Sequence, residues 1–191
     1  MAKKIEDLTK KEWDTLFPIE LVDRNPDWGR IYEREKLKIE EKIGDRIIRI
    51  EHVGSTAIPH IRAKPYIDIT IEISKADLFS QQLIAGLTNL GYHFFRQVGK
   101  GIDYMVFVKG YDLTGKKEQI FHVHMCPSGH EMLNQITFRD FLRKNPGRAR
   151  EYEQLKIGLA SKFKNDRVGY RVAKDGFIAD TINRSEKTGS L

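Results

Sequence analysis

The stretch YIDITIEI, residues 66–73, constrains the fold more than any other part of the sequence. Isoleucine holds every odd position (Ile67, Ile69, Ile71, Ile73), and Tyr66, Asp68, Thr70 and Glu72 hold the even ones. Successive side chains of a strand point to opposite faces, so this alternation predicts a β-strand with one aliphatic and one polar face. A slip of one residue would expose all four isoleucines and bury two carboxyl groups, which fixes the register. The stretch is expected as a central strand with its isoleucines in the core.

Around it, IIRIEHV (47–53) reads as a strand, and GSTAIP follows as a turn that opens a short helix ended by Pro59. Residues 92–97, 103–109 and 118–126 read as three further strands, joined by turns near 99–101 and 112–115. Residues 19–28 read as a short strand and a turn at Asn25-Pro26, and 26–43 as a helix stopped by Gly44. Ser74 is a natural N-cap for a helix over 75–90 that Gly91 closes. Helices are expected over about 128–143, 147–164 and 169–186. A strand-rich middle and a helical C-terminal third argue for α+β (mixed α/β), not a doubly wound parallel fold. Residues 1–17 read as a charged helical arm, and 18–191 as a single domain.

A chain of 191 residues buries roughly 70% of its unfolded surface and needs no disulfide or metal staple. Its lone cysteine, Cys126, excludes an intrachain disulfide and fits a reducing compartment. The N-terminus is too charged for a secretory signal, and no apolar stretch approaches a membrane span, so the expected location is cytoplasmic. The net charge of +6 fits either a mixed-sign surface or an anionic partner such as a nucleotide. No RRM, KH or C₂H₂ pattern is present, and nucleic acid is not the expected partner.

Four groups of residues carry possible chemistry. Gly54-Ser55-Thr56 follows a strand on a tight turn, where backbone N–H groups and two hydroxyls can converge on an anion. Glycine and serine favour an ordinary β-turn equally. Asp68 can hold a hard cation against phosphate oxygens, or simply sit on a solvated sheet face. In FHVHMC (121–126), His122 and His124 share one strand face with Cα atoms roughly 6–7 Å apart, as a site or as a structural pair. Arg139, Arg143, Lys156 and Lys174 lie in C-terminal helices, where the spacing Tyr-x₃-Lys puts Tyr152 with Lys156 and Tyr170 with Lys174. These cations either clamp phosphates or form solvated helix faces.

In combination, HVGSTAIP…KPYIDITIEI, FHVHM, TFRDFLRKNPGRAREYEQLK and the terminal Y…K…FI pattern resemble the GrpB-like family of the nucleotidyltransferase superfamily. The resemblance covers the chain from about residue 18 and implies a nucleotidyltransferase-like (polymerase-β-like) mixed sheet flanked by helices. It also implies that the Gly-Ser turn and an acidic strand face one cleft. In the superfamily that turn holds phosphates, while two carboxylates on one strand and a third on a later strand bind two metals. Gly54, Ser55 and Asp68 match this pattern. Thr70 stands at the second carboxylate position, Glu72 lies roughly 13 Å along the strand, and His122 and His124 occupy the later strand.

The expected function is metal-dependent nucleotidyl or phosphoryl transfer on a nucleotide or phosphorylated small molecule. Gly54, Ser55, Thr56, Lys64, Arg139, Lys156 and Lys174 would bind phosphate. Asp68, His122 and His124 would hold a divalent metal, Mg²⁺ or Mn²⁺, and carry the chemistry, with either histidine able to act as general base. A site of two imidazoles and one carboxylate would suit Zn²⁺, Mn²⁺ or Fe²⁺ better than Mg²⁺. The alternative, which Thr70 favours, is a non-catalytic nucleotide- or phosphometabolite-binding module.

Overall fold

The computed structural model describes residues 4–98, 101–114, 118–187 and 189. Five strands form one mixed sheet: β1 (Ile47–Val53), β2 (Tyr66–Ile73), β3 (His93–Gln97), β4 (Tyr104–Lys109) and β5 (Ile120–Pro127). Their spatial order is β1-β2-β5-β4-β3, with β2 and β5 parallel and all other neighbours antiparallel. The turns expected near 99–101 and 112–115 run into residues 99–100 and 115–117, which lie outside the described residues.

The alternation in β2 governs the packing as expected. Ile67, Ile69, Ile71 and Ile73 are all fully buried, and β2 lies inside the sheet between β1 and β5. Helix α2 (Trp28–Ile43) covers this aliphatic face with Trp28, Tyr32, Ile39 and Ile43, joined by Leu83 and Leu87 of α3 (Gln81–Thr88). The stripe repeats at helical spacing. Glu35 falls within it, and its buried carboxylate is satisfied by Lys109 at 2.6 Å, Tyr92 at 3.2 Å and Lys38 at 3.3 Å.

A second core joins Ile58 and Ile61, beyond β1, to α4 (Asn134–Lys144), α5 (Pro146–Lys162) and α7 (Asp175–Lys187). Near the N-terminus, α1 (Lys10–Leu16) starts at a Thr9–Glu12 capping box. Trp13 and Phe17 then pack edge-on against Tyr111 at 4.9 and 4.6 Å. Arg167, the first residue of α6 (Arg167–Val172), reaches the hydroxyl of Tyr66 on the polar face of β2 at 3.5 Å and is itself held by Asp14 and Phe17 of the N-terminal segment. Among the described residues, no helix is long and apolar enough to cross a membrane.

The mixed sheet, flanking helices and helical C-terminal third match the expected class, but several element boundaries do not. Residues 19–28 form no strand; only Val22 bridges, to Ala63, because Asn25-Pro26 turns the chain at once into α2. Ser74 caps a single 3-10 turn (Lys75–Asp77), and Ser80 caps α3, with Phe79 at φ 63° breaking the path between them. The helix expected from residue 128 begins at Asn134 after a 3-10 turn, and the last expected helix is split into α6 and α7.

Candidate functional site

The turn after β1 and the middle of β2 are built against each other. Val53 pairs with Asp68, and Gly54 follows at φ 68° and ψ −174°, a region open essentially to glycine alone. A Cβ on Gly54 would lie 2.2 Å from Asp68 Oδ2, so the carboxylate occupies the space a side chain would need. The 3-10 turn Ser55–Ala57 closes with Ala57 N donating to Gly54 O and Ile58 N to Ser55 O, both at 3.2 Å. Its own bonds leave the amides of Ser55 and Thr56 unused.

Thr56 is buried and committed to the fold. Its hydroxyl donates to Tyr66 O at 2.9 Å and accepts from His52 Nε2 at 3.0 Å. His52 stacks on Tyr32 with ring centroids 4.8 Å apart, and burial pushes its pKa down to about 4, so the ring is neutral.

A chain of hydrogen bonds runs into Asp68. Arg167 Nη2 donates to Tyr111 Oη at 3.1 Å, Tyr111 Oη lies 2.7 Å from His122 Nε2, and His122 Nδ1 lies 3.3 Å from Asp68 Oδ1. An ionised carboxylate only accepts, so the Asp68 end sets the direction for a neutral imidazole. Tyr111 must donate to Nε2, and His122 must carry its proton on Nδ1. Burial favours the protonated form of Asp68, but the bond from His122 and the electrostatic pull of His122, His124 and Lys64 outweigh it and keep the pKa below normal. Burial lowers the pKa of His122 despite the pull of Asp68, with Lys64 and Arg167 adding to the effect.

Two ammonium groups gather beside this carboxylate. Lys64 Nζ lies 4.8 Å from the Tyr66 ring and 5.8 Å from Tyr170, and Lys174 Nζ lies 4.5 Å from Tyr170. Among the described residues neither has a hydrogen-bond acceptor or an ion-pair partner, and both lie over tyrosine faces. Burial, then the charges of Arg167 and Lys174, push Lys64 down to about 7 against the pull of Asp68. Burial pushes Lys174 down to about 8 despite Asp68 and Asp175.

These shifts predict an unusual pH dependence of stability. Between the folded values and the ordinary lysine value of 10.5, the unfolded chain binds more protons than the folded one. Stability therefore rises with pH across that window. Urea unfolding of the ligand-free protein should show a higher midpoint at about pH 9 than at about pH 7. The gain should end near pH 10, where ionisation of buried tyrosines begins to favour unfolding. A flat or falling midpoint between pH 7 and 9, in round figures, would contradict the lysine environments.

Of the sequence-predicted site residues, Gly54, Ser55, Lys64, His122 and Lys174 gather around Asp68, whereas others serve the fold. Arg139 is buried, donating to Glu51 and to His52 O at 2.7 Å each, and to Asp140 at 2.8 Å. Lys156 is buried with its ammonium on Arg62 O, and Arg143 donates to Ala57 O at 2.8 Å. His122 has both ring nitrogens engaged, so no lone pair is left for a metal while Tyr111 is in place. His124 pairs in register with Thr70 on the same face; burial holds its pKa at about 4, and among the described residues His124 Nδ1 and Thr70 Oγ1 are buried without hydrogen-bond partners. Cys126 is buried and its thiol is pushed up to about 12, which makes it a poor nucleophile. The expected Tyr-x₃-Lys pairing does occur: Lys156 lies over Tyr152 at 5.0 Å and Lys174 over Tyr170.

Tyr111 and Arg167 escaped sequence reasoning. Tyr111 lies just beyond β4 and Arg167 at the first position of α6, outside every motif.

The GrpB protein family model matches residues 18–184. The chain belongs to the GrpB family. The "Glutamate-rich protein GrpB" of Alkalihalophilus pseudofirmus is 35% identical over 167 residues, covering 85% of this chain and 93% of that protein. The crystal structure of the conserved protein GrpB from Enterococcus faecalis matches with a TM-score of 0.74 at 26% identity, over 90% of this chain and 100% of that one. A "Dephospho-CoA kinase" of Mycobacterium tuberculosis is 26% identical over 190 residues, which span 88% of this chain and 46% of that protein. The family match begins at Pro18, so the segment that packs on Tyr111 precedes it.

Proposed function

We propose that this GrpB cleft binds a phosphate-bearing small molecule, a nucleotide or phosphorylated metabolite, through Lys64, Lys174 and the amides of the Gly54-Ser55-Thr56 turn. One observation carries the proposal: two half-buried ammonium groups lie near Asp68, yet among the described residues neither has a hydrogen-bond acceptor or an ion pair. A ligand dianion would relieve their mutual repulsion and raise both pKa values. The tyrosines around them are already buried and in contact with protein groups, which leaves charge, not base stacking, as the means of recognition.

Transfer of a phosphoryl or nucleotidyl group at Asp68 is the second function we propose. Two features favour it: the carboxylate is kept ionised beside the phosphate-binding turn, and a relative that shares this region is named a dephospho-CoA kinase. The donor set fits a protein-held metal poorly. Thr70 supplies no charge, His122 is engaged, and among the described residues no three His, Cys, Asp or Glu side chains are placed to share an ion. A Mg²⁺ or Mn²⁺ ion is therefore proposed only as part of a metal–phosphate ligand, and no step is derived through it.

Thermal-shift titration with inorganic pyrophosphate, ATP and dephospho-CoA, each with and without Mg²⁺, tests binding. A ligand at a hundred times its Kd should stabilise the fold by about 2.7 kcal/mol. No shift with any of the three would remove the proposal. A shift with a mixed oligonucleotide only, steeply weakened by salt, would point to nucleic acid instead.

A further inference from the structure

We propose that Thr70 and His124 form a neutral hydrogen-bonding subsite, one step along the strands from Asp68, that takes a hydroxyl group of the ligand. The inference deepens the phosphate reading and rests on it: the ligand would be a phosphate monoester of a polyol, as in a sugar phosphate or the ribose phosphate of a nucleotide.

The sheet register brings four polar side chains together. Asp68 pairs with His122, and Thr70 with His124, across the parallel strands β2 and β5. The two pairs share one face and lie roughly 7 Å apart along the strands. They differ in what they have left to offer. Asp68 and His122 meet each other at 3.3 Å. Thr70 Oγ1 and His124 Nδ1 are buried, and among the described residues neither has a hydrogen-bond partner. Thr70 is 1% exposed and His124 half-buried, so one member of the pair is enclosed and the other partly open.

The neighbouring strands do not supply the missing partners. Level with the pair stand Glu51 on β1 and Val106 on β4. Val106 has no polar side-chain atom, and Glu51 is already the acceptor of Arg139 at 2.7 Å. A buried polar atom left unpaired costs free energy, and a native fold that keeps two of them side by side has a use for them.

The chemistry of the two atoms selects the group they take. Threonine carries no charge, and burial holds the His124 ring neutral. A second phosphate would find no cation here and would meet the ionised Asp68 as a neighbour. A hydroxyl fits, because it donates to one partner while accepting from the other, and threonine and neutral histidine can each play either part. Val53, which leads into the Gly54-Ser55-Thr56 turn, pairs with Asp68, and Lys64 and Lys174 lie near the same carboxylate. A phosphate held there leaves the rest of the ligand to run one step along the strands to Thr70 and His124. Both atoms are enclosed in the free protein, so the hydroxyl reaches them through a side-chain rotation of Thr70 or His124.

The test is calorimetric titration of the full chain with glycerol 3-phosphate and with propyl phosphate, the same ester without the two hydroxyls. The wild type should bind glycerol 3-phosphate roughly tenfold tighter or more. Thr70→Val, which keeps the shape and removes the hydroxyl, and His124→Phe should each abolish that preference by weakening glycerol 3-phosphate alone. Ligand-free Thr70→Val should unfold at a urea midpoint no lower than the wild type, since it gives up an unpaired hydroxyl. A lower midpoint would assign that hydroxyl to the fold and overturn the subsite. Equal affinity of the wild type for the two esters, or equal weakening of both in Thr70→Val, would overturn the subsite and leave the phosphate reading standing. Binding of neither ester would remove the phosphate reading and the subsite with it. If a variant does not fold, the two esters on the wild type decide.

Discussion

Gly54→Ala is expected to cost roughly 2–6 kcal/mol of stability and to abolish pyrophosphate binding at any concentration where the wild type binds. Two independent penalties combine. The backbone at φ 68° and ψ −174° suits glycine alone, and a non-glycine residue held in such a region costs about 1–3 kcal/mol. The new methyl group would also meet Asp68 Oδ2 at 2.2 Å and Asp68 Cβ at 2.9 Å, an overpacking penalty of about 1–3 kcal/mol. Relief requires the turn and β2 to separate, which moves the amides of Ser55 and Thr56 away from the carboxylate. Gly129 provides the control, because it also has a positive φ (78°) but nothing within 4 Å of where a methyl group would stand. Urea unfolding of Gly54→Ala beside Gly129→Ala isolates the contact with Asp68. Equal losses in the two variants would show that the close approach does not matter.

Lys64→Met and Lys174→Met are each expected to weaken pyrophosphate binding by about 1.5–3 kcal/mol, or roughly 10- to 100-fold. The same substitutions should leave the ligand-free protein as stable as the wild type or more so, because each removes a half-buried charge that has no partner. Lys156→Met should do the reverse. Its ammonium is spent on the carbonyl of Arg62, so the fold weakens and affinity holds. Calorimetric titration and urea midpoints on the three variants separate binding cations from structural ones. If Lys64→Met binds as tightly as wild type, the phosphate lies elsewhere.

The contrast between Lys64 and Lys156 also shows where the sequence stops being informative. Periodicity fixes the strand at 66–73 because four isoleucines must all leave water together, and the Gly-Ser turn is legible because few residues allow its backbone. A lysine carries no such mark: a side chain bonded to a carbonyl and one left for a ligand look alike until their neighbours are known. Arg139 shows the same ambiguity, since its two long-range acceptors, Glu51 and the carbonyl of His52, lie on β1. Tyr111 and Arg167 were illegible for a related reason, since each gains its role from a partner distant in sequence. The start of α3 was missed because Ser74 and Ser80 are both good caps, and only the left-handed Phe79 between them decides.

Asp68 and His122 face each other across the sheet's parallel strand pair, β2 and β5. Parallel strands cannot be joined by a hairpin, and α3, β3 and β4 all lie between β2 and β5 in the sequence. Contacts of such separation carry a large closure entropy and form late, whereas β1 and β2 are antiparallel neighbours linked by the turn itself. During synthesis, a nascent chain that has emerged only as far as Ile73 already contains Gly54, Ser55 and Asp68. The histidine beside that carboxylate arrives only with β5. An incomplete chain can thus form the turn and its carboxylate beside Lys64, but without the two histidines of β5 that help keep the carboxylate ionised.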